Sequence, residues 1–224
     1  MKKSLFSLLI LVSIVASATG QRSALGISIG SGFSSTRNEY SSEAWKQGFI
    51  INLEYSWYLT RRLALRTGLA FEKKGSKFDP VWCATGEFEN PYNVHFDYYY
   101  ASIPVLVNLS FGQKIKYNVY AGPYFSRLLR TDLDANDEFR NDVIVEQASN
   151  HRAIDFGLST GTSIDIPIAK NLCIPIELRY NCGLLNTSKE RLHHYNVIDN
   201  KTYSEDMVVK HNALYLMIGL KANL

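Results

Sequence analysis

The segment from Val94 to Leu129, VHFDYYYASIPVLVNLSFGQKIKYNVYAGPYFSRLL, decides how the rest of the chain is read. Tyr99, Ala101, Ile103, Val105, Val107, Leu109 and Phe111 fall on one side of an extended chain, and Tyr100, Ser102, Pro104 and Asn108 on the other. A period of two means strand, because successive side chains of an extended backbone point to opposite faces. After a polar break from Gly112 to Lys116 the pattern returns, with Tyr117, Val119, Ala121, Pro123 and Phe125 opposite Asn118, Gly122 and Ser126. Two long strands joined by a tight polar turn predict a hairpin. Opposite the apolar face lie small, uncharged polar residues in place of the Lys and Glu of a sheet bathed in water. That composition predicts an apolar solvent outside the sheet and a polar interior.

Working outward, the same alternation recurs. Ahead of the hairpin it marks strands at Ala24 to Phe33, Phe49 to Trp57 and Leu63 to Glu72; beyond it, at Ile154 to Ile166, Leu172 to Leu184 and Ala213 to Leu224. The connections alternate long and short. The long ones are Ser34 to Lys46, Lys74 to Asn93, Arg130 to Arg152 and Asn186 to Val209; the short ones include Thr60 to Arg62 and Pro167 to Asn171. Such sorting predicts an all-β fold: an eight-stranded antiparallel up-and-down transmembrane β-barrel with four long extracellular loops and short periplasmic turns.

The chain opens MKKSLFSLLILVSIVASATG, two lysines ahead of an apolar run and small residues, the pattern of a signal peptide over residues 1–20. Residues 21–224 then form one barrel domain, without a linker. The formal charge of +3 falls to +1 once Lys2 and Lys3 are removed, which implies no nucleic-acid partner. Three cysteines, Cys83, Cys173 and Cys182, give no disulfide framework, because Cys173 and Cys182 lie nine residues apart in one predicted strand. Unpaired thiols are expected; Cys83 with Cys182 is the one conceivable bridge.

Alternation alone fits a soluble lipocalin-type ligand-binding barrel as well, so the polar face decides. Its charges are few and mixed in sign, and Arg66, Glu177, Arg179, Lys221, Asp155 and Asp165 are expected to form an ionic network in a side-chain-filled lumen. Aromatic residues band at both strand ends, Trp57, Phe111 and Tyr117 at the turn end, Phe33, Phe49, Phe71, Tyr99 and Phe125 at the loop end, as in membrane-interface girdles. Pro104, Pro123 and Pro175 each remove a ladder donor, so bulges or locally unpaired carbonyls are expected there.

No catalytic, cofactor-binding or metal-ligating set is assigned. His95, His151, His193, His194 and His211 fall mostly in or beside predicted loops and are read as solvated, with no spacing that links one to a nucleophile. Asp132, Asp134 and Asn136 match the opening of a calcium loop, but its sixth place is Asp137 instead of Gly and its twelfth Val143 instead of Glu. A solvated acidic loop is the plainer reading, and its acids favour basic partners or bridging divalent ions.

Ala101-Ser102-Ile103-Pro104-Val105-Leu106, Tyr120-Ala121-Gly122-Pro123-Tyr124, Asp155-Phe156-Gly157-Leu158 and Glu177-Leu178-Arg179-Tyr180 resemble strand motifs of PorT-like outer-membrane β-barrel proteins. The resemblance covers nearly all of residues 21–224 and implies an outer-membrane barrel of Gram-negative bacteria, in a family mostly without assigned activity. The expectation is a non-enzymatic barrel with a filled lumen, accessory to secretion by family analogy. Its surroundings would be outer-membrane lipids and lipopolysaccharide, its insertion would need the barrel-insertion machinery, and its loops would meet a protein partner or the surface layer, with the barrel a monomer. The alternatives are a lipid-modifying enzyme of the outer membrane and the soluble periplasmic barrel.

Overall fold

The computed structural model describes residues 23–38, 44–81, 92–134, 151–189, 191–196, 201–206 and 208–224. The expected signal segment and Cys83 lie outside them. Among the described residues ten strands form: β1 (Ser23–Asn38), β2 (Ala44–Tyr58), β3 (Leu63–Val81), β4 (Tyr92–Phe111), β5 (Lys116–Asp134), β6 (Ile154–Ala169), β7 (Leu172–Gly183), β8 (Arg191–Asn196), β9 (Lys201–Asp206) and β10 (Val209–Asn223). Eight of them close into an antiparallel barrel in the order β1-β10-β7-β6-β5-β4-β3-β2, while β8 and β9 pair as a separate hairpin within the last long connection. Closure is the physical requirement of a sheet in lipid, since an open edge would leave amide groups without partners in hydrocarbon. The seam is the β1–β10 ladder, continuous from Ala24–Asn223 to Asn38–Val209.

The short turns are built by local chemistry. Between β2 and β3, the Thr60 hydroxyl accepts hydrogen bonds from the amides of Arg62 (3.2 Å) and Leu63 (3.0 Å), which closes the chain on itself. Between β4 and β5, Gly112 sits at φ +91°, a conformation that glycine adopts without a Cβ penalty.

Pro104, Pro123 and Pro175 are absorbed without bulges. The β3–β4 ladder skips from Thr67–Val105 to Ala70–Ser102 around Pro104 and resumes in the same register. The β4–β5 ladder does so from Pro104–Tyr124 to Val107–Ala121 around Pro123, and β10–β7 from Ile218–Ile176 to Lys221–Cys173 around Pro175. Of the two expected devices, local unpairing is the one used. Register shifts fall at Trp45/Phe49 and Tyr99/Tyr100, and at two other prolines, around Pro80 (Phe78/Val81) and at Pro167 (Pro167/Ala169).

The faces divide as the alternation requires. Ile27, Ile29, Leu53, Leu69, Val107, Leu158 and Leu216 point outward and are each about half exposed, whereas Ser28, Asn52, Arg66, Ser102, Asp155, Glu177 and Lys221 point inward and are buried. Hydrophobic outside and charged inside inverts a soluble barrel, and so much contiguous apolar surface needs lipid around it. The soluble lipocalin-type alternative fails on this observation. On the outer face at the loop end, Phe49, Phe71 and Tyr99 lie side by side, with ring centroids 5.9 and 6.1 Å apart, and Phe111 faces Tyr117 across the ladder at the turn end. No helix among the described residues is long and apolar enough to cross a membrane, so strands form the span.

The long connections are shorter than the sequence suggests. β1 runs to Asn38, β3 to Val81 and β5 to Asp134, each well into a segment expected to be loop. Asp132 and Asp134 therefore belong to a strand and not to a calcium-type loop; Arg130 Nε donates to the Asp132 carboxylate at 2.5 Å. Asn136 lies outside the described residues, with the loop's remaining acids. Strands β3, β4 and β5 continue past the others: β5 leaves β6 after Arg127–Ile154 but stays paired with β4 to His95–Asp134. That is on the order of 20 Å of additional strand.

Candidate functional site: the charged lumen and its mouth

Inside the barrel the charges are stacked in groups along the axis. Nearest the turns, Lys221 Nζ donates to Asp165 at 3.1 Å, with Asn118 and Ser163 bonded beside them at 3.1 Å. The next group centres on Glu177. Its carboxylate accepts from Arg66 at 2.7 Å, from Arg179 Nε and its terminal nitrogen at 2.9 and 2.6 Å, and from the Tyr120 hydroxyl at 2.6 Å. Arg66 also donates to Glu54 and lies 4.3 Å over the Tyr120 ring. Burying a carboxylate costs several kcal/mol of lost hydration, which only such a full set of charge-assisted donors offsets.

Toward the loops a third group surrounds Lys74, which lies between Glu72 (3.3 Å) and Asp155 (3.2 Å). Ser102 and Asn181 donate to Glu72, and Tyr124 donates to Asp155 at 3.2 Å. Two carboxylates thus share one ammonium, with hydroxyl and amide donors on Glu72 and a phenol on Asp155 Oδ2, while Asp155 Oδ1 is left without a partner among the described residues.

The expected six-residue network is therefore divided. Arg66, Glu177 and Arg179 meet; Lys221 and Asp165 pair by themselves; Asp155 takes Lys74, a residue assigned to a loop from sequence. Extending the even-numbered face of β3 by one period, from Glu72 to Lys74, would have found it. Gly161 marks how tightly the wall is packed: a Cβ there would sit 2.3 Å from both the Leu178 carbonyl and the Tyr120 hydroxyl.

The mouth of the lumen at the loop end is aromatic and imidazole-rich. Phe96, Tyr98 and Tyr100 are buried on the inward face of β4. His211, expected beside a loop and solvated, lies fully buried within β10, which begins at Val209. His151 reaches the same place from the segment ahead of β6, held by a bridge to Ser188. Their Nε2 atoms are 3.3 Å apart, and the Tyr100 hydroxyl is 3.3 Å from His211 Nε2. The Tyr98 ring stacks on His151 at 4.3 Å and meets His211 edge-on at 5.1 Å. Burial, with the Lys189 charge adding to it, pushes the His151 imidazole down to about 4, so the ring is neutral at ordinary pH. His95 falls in β4, and His193 and His194 in β8. The thiols of Cys173 and Cys182 are free.

A closed eight-stranded barrel with an apolar exterior and a charged interior defines a membrane-spanning β-barrel protein. Residues 16–189 match the outer membrane protein beta-barrel domain, and the chain belongs to that family; it is a protein of the outer membrane. Among solved structures, a major outer membrane protein from Thermus thermophilus aligns with a TM-score of 0.52 at 13% identity, covering 90% of this chain and 99% of that one. OprG of Pseudomonas aeruginosa aligns with a TM-score of 0.51 at 10% identity, over 92% of this chain and 96% of its own. Neisserial surface protein A aligns with a TM-score of 0.46 at 11% identity, over 91% and 99%. These likenesses concern the fold. No curated protein matches the chain by sequence.

Proposed function

We propose that this protein is a non-enzymatic outer-membrane barrel, closed to solutes by the ionic groups in its lumen, that holds the β3–β4–β5 projection and the β8–β9 hairpin outside the cell for contact with a protein partner or the surface layer. The observation that carries this reading is the combination of a lumen whose charges are taken up by one another with three adjacent strands that outrun the rest. A stiff scaffold under projecting segments is where recognition usually sits. Outer-membrane lipids and lipopolysaccharide would surround the barrel as a monomer after its delivery by the insertion machinery. The resemblance to PorT-like barrels makes an accessory role in secretion the first process to examine. For the enzyme alternative, the contacts of the mouth histidines run to each other and to Tyr98 and Tyr100.

The test uses a deletion strain profiled for secretion, surface adhesion and lipid A structure, then complemented with a variant whose β3–β4 tip, residues 78–94, is replaced by a short turn. The expected result is a barrel that inserts and shows heat-shifted gel migration but restores no phenotype. If the shaved protein restores every phenotype while His-to-Ala variants do not, the display reading fails. In planar bilayers the wild-type barrel should give no conductance steps, and regular steps would refute a closed lumen.

A further inference from the structure

The histidine pair at the mouth is built in a way that the display reading does not use. His211 Nε2 has two neighbours at 3.3 Å, His151 Nε2 and the Tyr100 hydroxyl. An imidazole nitrogen carries either one proton or one lone pair. As an acceptor it can take the hydrogen of only one neighbour, and as a donor it can satisfy only one, so in either tautomer one contact is poorly served. A cation between the three atoms removes that conflict, because each then offers a lone pair to the same point. The spacing fits: arms of 2.0–2.1 Å in a tetrahedron place donor nitrogens roughly 3.3 Å apart.

Just inside the site lies Lys74, its Nζ 5.0 Å from the Tyr100 ring centroid, and the two carboxylates that share it, Glu72 and Asp155, offset its charge. The three donors come from β4, β10 and the segment bridged to Ser188, so their convergence depends on the closed barrel. The Tyr98 ring, stacked on His151 and edge-on to His211, fixes both ring planes. Neutral imidazoles with an oxygen donor suit the late first-row divalent ions.

We propose that Nε2 of His151, Nε2 of His211 and the hydroxyl of Tyr100 form a Zn²⁺- or Cu²⁺-binding site at the mouth of the lumen, with water in the remaining positions. Bound there, the ion ties the chain entering β6 to β4 and β10.

The test uses tag-free full-length protein in detergent, stripped with chelator, then titrated with Cu²⁺ under electron paramagnetic resonance and with Zn²⁺ by calorimetry. One ion per barrel is expected, with hyperfine coupling to two imidazole nitrogens and Cu²⁺ tighter than Zn²⁺. His211→Gln and His151→Gln should each weaken binding by at least about tenfold, and Tyr100→Phe by less. His193→Ala combined with His194→Ala should change nothing. His151 lies outside the barrel strands, so its variant stays informative if His211→Gln fails to fold. Absence of binding, binding that survives His151→Gln in a folded barrel, or loss of binding in the His193/His194 double variant overturns the proposal.

Discussion

Replacing Glu177 by alanine should be among the most damaging single changes in the barrel. Glu177, Arg66 and Arg179 are 4%, 3% and 2% exposed, and the carboxylate receives four charge-assisted or phenolic hydrogen bonds. Without it, Arg66 retains Glu54, whereas the carboxylate bonded to Arg179 is gone. Leaving a buried cation without its anion costs about 3–5 kcal/mol. With an unfolding slope of about 2–3 kcal/mol per molar urea, the midpoint should fall by roughly 1–2.5 M. The assay is urea unfolding of the barrel in lipid vesicles, followed by tryptophan fluorescence and by heat-shifted gel migration. Lys114→Ala, at an exposed turn position, is the control and should stay within about 0.5 kcal/mol. Removing both partners, Glu177→Leu with Arg179→Leu, should recover much of the loss, because no unpaired charge is left behind. If Glu177→Ala behaves like Lys114→Ala, the lumen is wet enough to solvate Arg179, and the desolvation argument is wrong.

Leu216, the most exposed of the outward residues on β10 at 61%, sits mid-strand; Leu216→Arg should cost about 2–4 kcal/mol in vesicles, and a neutral result would mean that the outward face does not meet hydrocarbon. Gly161→Ala should cost about 1–3 kcal/mol in the same urea assay, because its Cβ would displace the Tyr120 hydroxyl from Glu177, and full stability would show that the wall has slack.

What became hard to read was the end of each strand. Within the bilayer every second residue must be apolar, so parity announces the strand. Beyond the aromatic rows the outward positions carry Lys73, Asp97 and Arg127, because water replaces lipid there. The contrast between faces then fades, while main-chain pairing continues through Phe78–Val94 and His95–Asp134. Lys74 and His211 were misplaced for this reason: both lie where strand persists without its hydrophobic signature.

The sequence by itself determined the barrel, its eight spanning strands and which face of each meets lipid, because a two-residue period is a property of each strand alone. Only the tertiary structure decided which charges meet. Glu177 reaches Arg66 from the far side of the lumen, 111 residues away, and Asp155 reaches Lys74 across 81. Those contacts depend on how strands stagger as the sheet closes, a quantity shared among eight ladders and written in no one of them. The mouth depends on closure in the same way: His151 and His211 meet because β5, β6, β7 and β10 bring the start of one strand and the approach to another to the same end of the barrel.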